Sequence, residues 1–558
     1  MSSEKVVAIV MDDKTYEVDK HKLIENSDYF RALYGSGMRE STADCVQLQG
    51  LSGQGLELVL GFINTSRVHI VDETLEDLIE TASFLQVTPI LKLLPSEIRP
   101  ENCVDLYRLS EVYGTNDLRH ACIQFMTCHY HPMLRRPEFH QLSPELRDQV
   151  REMRMTGTAT LLAIGDFTRV AAPSDGAAAG RPDQDGAAPW SMLRYGDAER
   201  WWKPLFSHNL PSDMRNVRGY GYTVLHNYLF IVGGYRVASQ EMSAAHCYNP
   251  CRNEWAQIAP LNQKRSNFRL LAAQGRLFAV GGQSLGTVES YSPETDWWTC
   301  VSSMPEPLAE FSACECQGMI YVMGGYTQRD RNLDVLRYCP SSDVWSVLRS
   351  CRTRHVRKQQ MLSVEGTLYL ENAVRSGLNL TCALHNDGVY IMSRDVGVHL
   401  LKFNLFSGAW ESGGPFPARG HNMLLCSLYL PHWLGGGRSG RRYSGTPRHK
   451  RTDPGGGGGG GRLISERMSE GDEKRGALTL RGHGRRAAPS QRRLKQAGHP
   501  VHPQGLGGTL LAPPWTGLKR LGTTKDLVSN PAGRTPRRHP TEWNYRGVWG
   551  GGGGGHSN

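Results

Sequence analysis

The stretch RLFAVGGQSLGTVESYSPETDWWTC (276–300) decides the fold of this chain. It contains a short apolar strand that ends in two glycines, and then a tyrosine followed seven residues later by a tryptophan. A tyrosine or phenylalanine stands seven residues before a tryptophan at five places, which are Tyr195/Trp202, Tyr248/Trp255, Tyr291/Trp298, Tyr338/Trp345 and Phe403/Trp410. A pattern that recurs at one offset indicates an internal structural repeat.

The repeat has the length of one propeller blade. The strand with its double glycine returns in YLFIVGG (228–234) and MIYVMGG (319–325), and the tryptophans from Trp255 to Trp345 are 43 and then 47 residues apart. Four-stranded propeller blades have this period. Because a propeller presents a ring of loops and rarely catalyses a reaction by itself, the repeat favours a binding module.

The strand spacing predicts an all-β propeller over 158–430 with six blades, one of them truncated. Strand LYL (368–370) is followed by the equivalent strand VYI (389–391) after only 21 residues, so the outer half of one blade is missing near 371–376. An Ala-, Gly- and Pro-rich loop at 169–191 is predicted to be an insertion into the first blade.

A C-terminal strand is expected to close the ring. RGHNMLLCSL (419–428) resembles the inner strand RGYGYTVLHN (218–227) and has no partner strand after it. Pairing of this segment with the first propeller strand, TLLAIGD (160–166), would remove the open sheet edges.

The first 98 residues read as an α/β domain. VVAIVM (6–11) and KTYEV (14–18) are typical of a β-hairpin, and HKLIENSDYFRALYGSG (21–37) is mostly helical. In 55–66 and 74–87 the apolar residues recur at helical spacing, so each of these helices buries one stripe.

A short helical region is predicted over 99–157. ENCVDLYRLSEVYG (101–114) and NDLRHACIQFMTCHYH (116–131) form an antiparallel helix pair, with Gly114 ending the first helix and Asn116 as N-cap of the second. Cys122, Cys128, His129 and His131 could suggest a zinc site, but their segment reads better as a helix, and their spacing differs from that of structural zinc sites. We expect no metal and no cofactor.

The positive net charge belongs to the tail. Residues 431–558 carry 23 Lys and Arg against 7 Asp and Glu, whereas residues 1–430 carry 41 against 47. The tail also holds 30 of the 62 glycines and shows no apolar period, which predicts a disordered extension. An Arg–Gly arm that binds RNA is the less favoured alternative, so no nucleic-acid partner is expected.

The cysteines and the hydropathy indicate an intracellular chain. The 13 cysteines form no framework of evenly spaced pairs, and neither an N-terminal signal segment nor an apolar run near 18 residues is present. We therefore expect a cytoplasmic protein with no membrane partner.

These residues resemble the BTB–BACK–kelch family. The resemblance rests on YEVDKHKLIENSDYFRALYGSGMRES, GLELVLGFI and ASFLQV for the BTB domain, on ENCVDLYRLSEVYG for the three-box and BACK helices, and on the repeats for kelch blades. It implies a substrate adaptor of a cullin-3 RING ubiquitin ligase, which is itself not an enzyme. The long matching strings further imply a mitotic or microtubule-regulating role, at the cytoskeleton or spindle, with a microtubule-severing ATPase such as katanin as substrate.

The resemblance places the cullin-3 contact at Met38, Arg39 and Glu40, helped by the three-box helices. An exposed methionine can anchor in a cleft while the neighbouring carboxylate adds a directional contact. The alternative without a binding role is that Met38 ends the helix and the Glu40 side chain is exposed to solvent. Dimerisation stays open, because family members usually have a helix before the first BTB strand and this chain starts almost at that strand.

The resemblance also implies that the substrate meets loops at one mouth of the propeller. These loops carry arginine and aromatic residues, which are common in binding hot spots, and an acidic or phosphorylated peptide is the expected ligand. Any single arginine there could equally be a solvated loop charge. Before the inner strands the loops offer Arg218, Tyr220, Arg265, Asn267, Glu310, Phe311, Arg357, Gln359, Asn379, Arg419 and His421, and after the double glycines Tyr235, Arg236, Gln283, Tyr326, Arg329 and Arg331.

Two other functions compete with the adaptor. A cytoskeletal scaffold whose propeller binds actin or microtubules is the main alternative. A copper radical oxidase on a kelch propeller would need a Tyr, Cys and His cluster at the ring axis, and the sequence offers no such set. We find neither a phosphate-binding loop nor a G-x-S-x-G elbow, so no catalytic residues are predicted.

Overall fold

The computed structural model describes the chain from the first predicted strand to the end of the propeller, with gaps, and one segment of the tail. The described residues are 6–37, 43–169, 190–236, 240–283, 285–332, 334–350, 360–364, 367–371, 380–393, 399–434 and 518–523. The chain divides into two units, Met1–Gly440 with Pro514–Asn558, and Arg441–Pro513. All described residues belong to the first unit, and the second lies outside them.

A three-stranded sheet and five helices form the N-terminal domain. The strands are Val6–Met11, Lys14–Asp19 and Cys45–Gln47, and the helices are Lys20–Asn26 (α1), Asp28–Gly35 (α2), Gly53–Thr65 (α3), Leu75–Phe84 (α4) and Thr88–Leu93 (α5). The first strand is central and pairs antiparallel with the second, which confirms the predicted hairpin. Val7 and Ile9 alternate into the core, where the apolar stripe of α3 covers them.

The helical stretch predicted over 21–37 is two helices, and Ser27 separates them. Its backbone is extended, with φ −128° and ψ 122°, and its hydroxyl accepts from the amide of Phe30, so Ser27 caps α2. The same hydroxyl donates to the carbonyl of Leu85, 2.5 Å away. The break therefore joins this helical hairpin to the end of α4.

Five helices follow, and the first two form the predicted pair. They are Cys103–Val112 (α6), Asn116–Cys128 (α7), Tyr130–Leu134 (α8), Pro137–His140 (α9) and Pro144–Met153 (α10). Gly114 ends α6 with a φ of 66°, as expected. Asn116 is not the cap: it is already the first helical residue, and Thr115 precedes α7 without a side-chain cap. No described helix has the length and apolar character that a bilayer crossing requires.

Six antiparallel sheets form the rest of the described chain. The first has Ala418–Leu430, Thr158–Arg169, Trp190–Gly196 and Trp201–Leu205; the second Gly221–Leu225, Tyr228–Val232, Ala245–Asn249 and Glu254–Gln257; the third Arg269–Ala273, Arg276–Gly282, Leu285–Ser292 and Trp297–Val301. The fourth has Ser312–Cys316, Met319–Met323, Asp334–Cys339 and Val344–Ser350; the fifth Gln360–Val364, Thr367–Glu371 and Leu518–Thr523; the sixth Leu380–His385, Gly388–Ser393, His399–Asn404 and Trp410–Pro415. The number of blades stays a prediction, because 351–359 and 372–379 lie outside the described residues.

The aromatic repeat follows from the strand register of the outer hairpins. In all five pairs the tyrosine or phenylalanine is the direct cross-strand partner of the tryptophan. Their ring centres lie between 5.0 and 5.3 Å apart, a favourable distance for aromatic contact. A fixed hairpin length thus places both rings on the same side of each sheet.

The C-terminal strand closes the first sheet, as predicted. Ala418–Leu430 runs antiparallel along Thr158–Arg169, and its end pairs Leu430 with Thr158. Asn227 of the second sheet holds this strand through both groups of its side-chain amide, which bond the carbonyl and the amide of Tyr429 at 2.9 and 2.8 Å.

The fifth sheet corrects the prediction for the tail. Residues 431–558 were expected to be disordered throughout, yet Leu518–Thr523 pairs antiparallel with Thr367–Glu371. Thr367–Glu371 pairs with Gln360–Val364 along one edge, and the strand from the tail satisfies the backbone groups of its other edge. The rest of the tail, apart from 431–434, and residues 170–189 of the predicted insertion lie outside the described residues.

A shared core joins the helical region to the second and third sheets. One apolar cluster runs from Leu75 of α4 through the helices to Trp298. Arg154, which is 1% exposed, donates to the carbonyls of Thr127 and His226 and lies 3.9 Å from the ring centre of Tyr228. The helices and the propeller are therefore packed as one body at this joint.

Candidate substrate-binding mouth

Two loop sets predicted to bind substrate meet at one end of the sheets. In the second sheet the backbone groups of Arg218 and Tyr235 exchange two hydrogen bonds, at 2.9 and 2.8 Å. In the fourth sheet Ala309 and Tyr326 exchange two at 2.9 Å. The loop before each inner strand thus lies beside the loop that follows its double glycine. We call this surface the mouth.

The third sheet contributes to the mouth in the same way and connects it to the second. The amide of Gln283 donates to the carbonyl of Ser266, and the side-chain amides of Asn267 and Gln283 are 3.4 Å apart. The backbone amide of Asn267 donates to the carbonyl of Gly219 at 2.8 Å. Residues of neighbouring sheets therefore form one continuous surface.

Arginine dominates the exposed part of the mouth. Tyr235 and Tyr326 are half-buried, and the guanidinium of Arg331 lies 5.8 Å from the ring centre of Tyr326. The acidic residues close by in the described loops are Asp213, Glu241, Glu310 and Asp330, beside four exposed arginines. The Asp213 carboxylate lies 2.8 Å from His246, and the Glu241 carboxylate accepts from the hydroxyl of Ser266 at 2.7 Å. The exposed guanidinium groups suit an anionic ligand. The exposed predicted residues are Arg218, Arg236, Asn267, Gln283, Glu310, Arg329 and Arg331.

Three predicted substrate contacts are buried, which corrects their assignment. The hydroxyl of Tyr220 donates to the carbonyl of Asn422, and its ring packs edge-on against Trp190. Phe311 packs in the core between the third and fourth sheets. Arg265 is fully buried in an ion pair. Sequence position beside a mouth loop does not say which way a side chain points.

Arg265 and Glu289 form a hydrogen-bonded pair with both side chains 0% exposed. The guanidinium also donates to the carbonyls of Gly281 and Thr287, at 2.7 and 2.9 Å. The carboxylate accepts from the backbone amides of Asn262 and of its neighbour in the loop, at 2.8 and 3.1 Å. Buried charges persist only when they are paired and hydrogen-bonded in this manner, so this pair holds the mouth loop of the third sheet in place.

The double glycine has a second role beyond the tight turn that the sequence predicts. Gly281 has a φ of 64°, in the left-handed region that favours glycine. A Cβ at Gly281 would also lie 3.0 Å from the ring of Phe311 and 2.8 Å from the methyl group of Met304. The glycine lets the neighbouring sheet approach, and this is why Phe311 is buried rather than offered to a ligand.

Several predicted site residues fall outside what the structure describes. Met38, Arg39 and Glu40, which follow Ser36 and Gly37 in the sequence, lie outside the described residues. Arg357, Gln359 and Asn379 are also outside the described residues, whereas Arg419 and His421 have a described backbone in the closing strand but no described side chain.

Two polar contacts near the ring interior were not foreseen. Asp166 is buried, and its carboxylate accepts from the side-chain amide of Asn422 and the backbone amide of Asn216. The hydroxyls of Tyr222 and Thr381 are 2.7 Å apart, joining the inner strands of the second and sixth sheets. The sequence does mark Asp166 as unusual, because it stands where later repeats have their second glycine.

Ser427, His385 and Asp197 have the residue types of a hydrolase triad but link two sheets. His385 lies 2.9 Å from the hydroxyl of Ser427 and 3.0 Å from the carboxylate of Asp197, and the hydrogen bond to His385 lowers the pKa of Asp197. His385 is 2% exposed. The adjoining cleft, about 190 Å³ in volume, is lined by Asp197 but by neither of the other two. Substrate would not reach the serine.

The four residues of the possible zinc pattern face different partners, and the ring of His129 stacks on Phe125. Cys122 is buried beside Cys103, and the thiol of Cys128 faces Cys251. The ring of His131 stacks on Tyr228, with centroids 3.8 Å apart. Within the described ranges, no three His, Cys, Asp or Glu side chains converge to hold a metal ion.

Comparison with known proteins gives both modules. A family model described as BTB/POZ domain matches residues 6–99, and a Kelch motif model matches 217–262, 264–305 and 307–352. Kelch-like protein 42 of Homo sapiens is 52% identical over 511 residues, which cover 77% of this chain and 99% of that protein. Kelch-like protein 42 of Mus musculus is also 52% identical, with the same coverage.

More distant relatives share the same two modules. Kelch repeat and BTB domain-containing protein 13 of Mus musculus is 28% identical over 281 residues, covering 50% of this chain and 57% of that protein. The matched kelch repeats contain the Tyr–Trp hairpins of the second to fourth sheets, and the BTB match contains the sheet with α1 to α5. With an N-terminal BTB domain, kelch sheets and half of its residues shared with a relative covered almost end to end, the chain belongs to the BTB–kelch family of adaptor proteins.

Proposed function

We propose that this protein is a non-enzymatic substrate adaptor of a cullin-3 RING ubiquitin ligase. In this proposal Met38, Arg39 and Glu40, with α6 and α7, hold cullin-3, and the mouth of the propeller holds the protein to be ubiquitinated. Membership of the BTB–kelch family supports the proposal.

The joint between the helices and the propeller is the observation that carries the proposal. An adaptor works by keeping an acceptor lysine near a charged conjugating enzyme, so that a bimolecular encounter becomes local. Such an effect is lost if the two binding modules tumble independently. The core that runs from Leu75 to Trp298, with the buried Arg154 across it, keeps the mouth at a fixed place relative to the BTB side.

The target is proposed to present an acidic or phosphorylated segment to the mouth. Guanidinium groups bind carboxylates and phosphates with two parallel hydrogen bonds, and Arg218, Arg236, Arg329 and Arg331 are exposed there. By family resemblance, the target is a microtubule-severing ATPase such as katanin, bound in the cytoplasm or at the spindle during mitosis.

The cullin-3 contact is tested by pulldown from cells. Wild type recovers cullin-3, and the double variant Met38→Ala/Glu40→Ala is expected to lose it, because the anchor and its neighbouring carboxylate are removed together. Glu17→Ala, at an exposed position of the same domain, serves as the control and keeps cullin-3. Wild type that recovers no cullin-3, or a double variant that binds it unchanged, overturns the adaptor role. Co-sedimentation with actin filaments or microtubules in the absence of cullin-3 association would identify a cytoskeletal scaffold instead.

The mouth is tested separately with single arginine variants. Arg218→Ala is expected to weaken target binding about tenfold or more, as for an arginine in a binding hot spot. Arg276→Ala removes the same charge from the start of the second strand of the third sheet, at the hairpin turn, and leaves target binding unchanged. Equal effects of both variants would show that general charge, not the mouth, attracts the target.

A further inference from the structure

Two free cysteines face one another across the joint between the helices and the propeller. Cys128 is the last residue of α7, and Cys251 lies in the turn between the third and fourth strands of the second sheet. Their side chains interact, and a single asparagine side chain bonds the backbone of both residues. Neither residue belongs to the mouth or to the Met38–Glu40 part of the predicted cullin-3 contact, although Cys128 is the end of α7.

One asparagine fixes the backbone on both sides of this thiol pair. The side-chain amide of Asn249 donates to the carbonyl of Cys128 at 2.8 Å, and its oxygen accepts from the amide of Cys251 at 3.2 Å. Arg154 donates to the same oxygen at 3.2 Å. A disulfide forms without strain only between cysteines whose backbones are already close, and Asn249 holds the backbones of Cys128 and Cys251 within hydrogen-bond distance of one side chain.

The surroundings of Cys251 favour its thiolate. The interaction with the Cys128 side chain and the positive charge of Arg154 lower the pKa of Cys251 against the opposing effect of burial, to about 6 in all. The pKa of Cys128 is raised by the same interaction and by burial. One cysteine is therefore suited to attack an oxidant, and its neighbour is suited to attack the oxidised sulfur.

We propose that Cys128 and Cys251 are a redox-sensitive pair, which a hydroperoxide converts into a disulfide across the joint. The Cys251 thiolate attacks one oxygen of hydrogen peroxide; the O–O bond breaks, a sulfenic acid forms, and hydroxide leaves as water once protonated. The Cys128 thiol then attacks that sulfur; the S–S bond forms, the S–O bond breaks, and the hydroxyl leaves with the thiol proton as a second water. Two thiols are oxidised, and one peroxide is reduced to two waters.

The disulfide ties the end of α7 covalently to the second sheet. It stabilises the joint that Arg154 and Asn249 hold by hydrogen bonds, because a cross-link restricts the unfolded chain. A dithiol reductant reverses the bond. The disulfide would regulate how firmly the helical region packs on the propeller. It would therefore regulate how firmly the mouth is held relative to the BTB side.

A second thiol pair provides an internal control. The thiol of Cys103 donates to the backbone carbonyl of Cys122, 3.6 Å away, and both cysteines are 0% exposed, whereas Cys128 and Cys251 are partly exposed. The interaction with the Cys122 side chain and burial raise the pKa of Cys103. Peroxide reaches a partly exposed thiolate and not a buried thiol, so only the pair at the joint should react. Cys300, which is exposed, reports that the oxidant is active.

The test is oxidation of the full chain, followed by mass spectrometry. Reduced protein is treated with hydrogen peroxide, blocked with N-ethylmaleimide and digested with trypsin without reductant. We expect the fragments 120–135 and 237–252 to be linked, with fragment ions assigning the bond to Cys128 and Cys251. The link should disappear in Cys128→Ser and in Cys251→Ser, each shown by circular dichroism to be folded.

The thermal midpoint of the oxidised wild type should rise relative to the reduced protein, and dithiothreitol should restore the original value. The two serine variants should show no such rise. The proposal is overturned if Cys300 is oxidised while Cys128 and Cys251 stay reduced, if Cys103 and Cys122 link instead, or if the fragment pair persists in Cys251→Ser.

Discussion

Tyr291 and Trp298 are direct partners on neighbouring antiparallel strands, and their ring centres lie 5.1 Å apart. The indole nitrogen of Trp298 also donates to the carbonyl of Ala259, 2.8 Å away, in the segment that leads from the second sheet to the third. This one pair therefore joins the outer hairpin of its own sheet and ties it to the preceding sheet.

Replacing Trp298 by alanine should lower the free energy of unfolding by about 3–5 kcal/mol, as for other buried tryptophans. The side chain is 1% exposed, so its loss leaves a cavity and a carbonyl without its donor. Urea unfolding followed by far-UV circular dichroism measures the change. The neighbouring Trp297→Ala removes a side chain that is 60% exposed and should stay within about 0.5 kcal/mol of wild type. Similar losses in both variants would contradict the role assigned to the repeat.

Arg265→Ala should destabilise the protein by about 3–5 kcal/mol, because it leaves the Glu289 carboxylate buried without its partner. The double variant Arg265→Met/Glu289→Leu removes both charges and should recover much of the loss. Arg218→Ala, at an exposed site, should leave the urea midpoint unchanged. If Arg265→Ala is as stable as wild type yet loses the target, Arg265 belongs to the mouth after all.

Removing residues 514–558 should loosen the fifth sheet, because the edge of Thr367–Glu371 loses its partner strand. Amide hydrogen exchange of 367–371 should accelerate, while the exchange of the third sheet stays unchanged. A shorter truncation that removes only 531–558 keeps the strand and serves as the control. Equal protection of 367–371 in all three proteins would argue against the tail strand.

Stability should fall as the pH drops from about 6.5 towards 4. Burial lowers the pKa of His129 and of His226 to about 4, and lowers that of His131 well below its usual value. Above the ordinary value of 6.5 these rings are neutral in both states; below it the unfolded chain takes up protons that the folded joint excludes. The loss should be of the order of 2 kcal/mol for each of His129 and His226 at pH 5.

Urea midpoints at pH 7.5 and pH 5 measure this loss, and His226→Asn should reduce it. Asparagine tolerates the positive φ of 51° at this position. The charges facing these rings are those of Arg135, Arg151, Arg154 and Arg252, all of which disfavour a second positive charge. An unchanged pH dependence in His226→Asn would exclude that histidine as a source.

The repeat made the propeller predictable because its spacing encodes geometry. A tyrosine and a tryptophan seven residues apart fix a hairpin of one length, and the likeness of 419–428 to 218–227 located the closing strand. Such local patterns depend on strand register, which the sequence carries directly.

Contacts between segments that are far apart in the chain could not be predicted from the sequence. Arg265 stands two residues before the exposed Asn267 in the same loop, and only the packed structure shows that its side chain turns inward to Glu289. Leu518–Thr523 pairs through backbone groups with a strand about 150 residues earlier, and backbone pairing leaves no side-chain signature in a Gly- and Arg-rich tail. The Met38–Glu40 contact still rests on family resemblance.

The closing strand determines when the ring can close during synthesis of the chain. Thr158–Arg169 leaves the ribosome long before Ala418–Leu430, its partner, and about 250 residues separate the two. At ordinary translation rates the ring stays open for roughly 12–50 seconds. During that interval the helical region is complete but the first sheet lacks its innermost strand, and a chain that stops before residue 418 keeps this open edge permanently. Messages cut short there would yield products for quality control, not partially active adaptors.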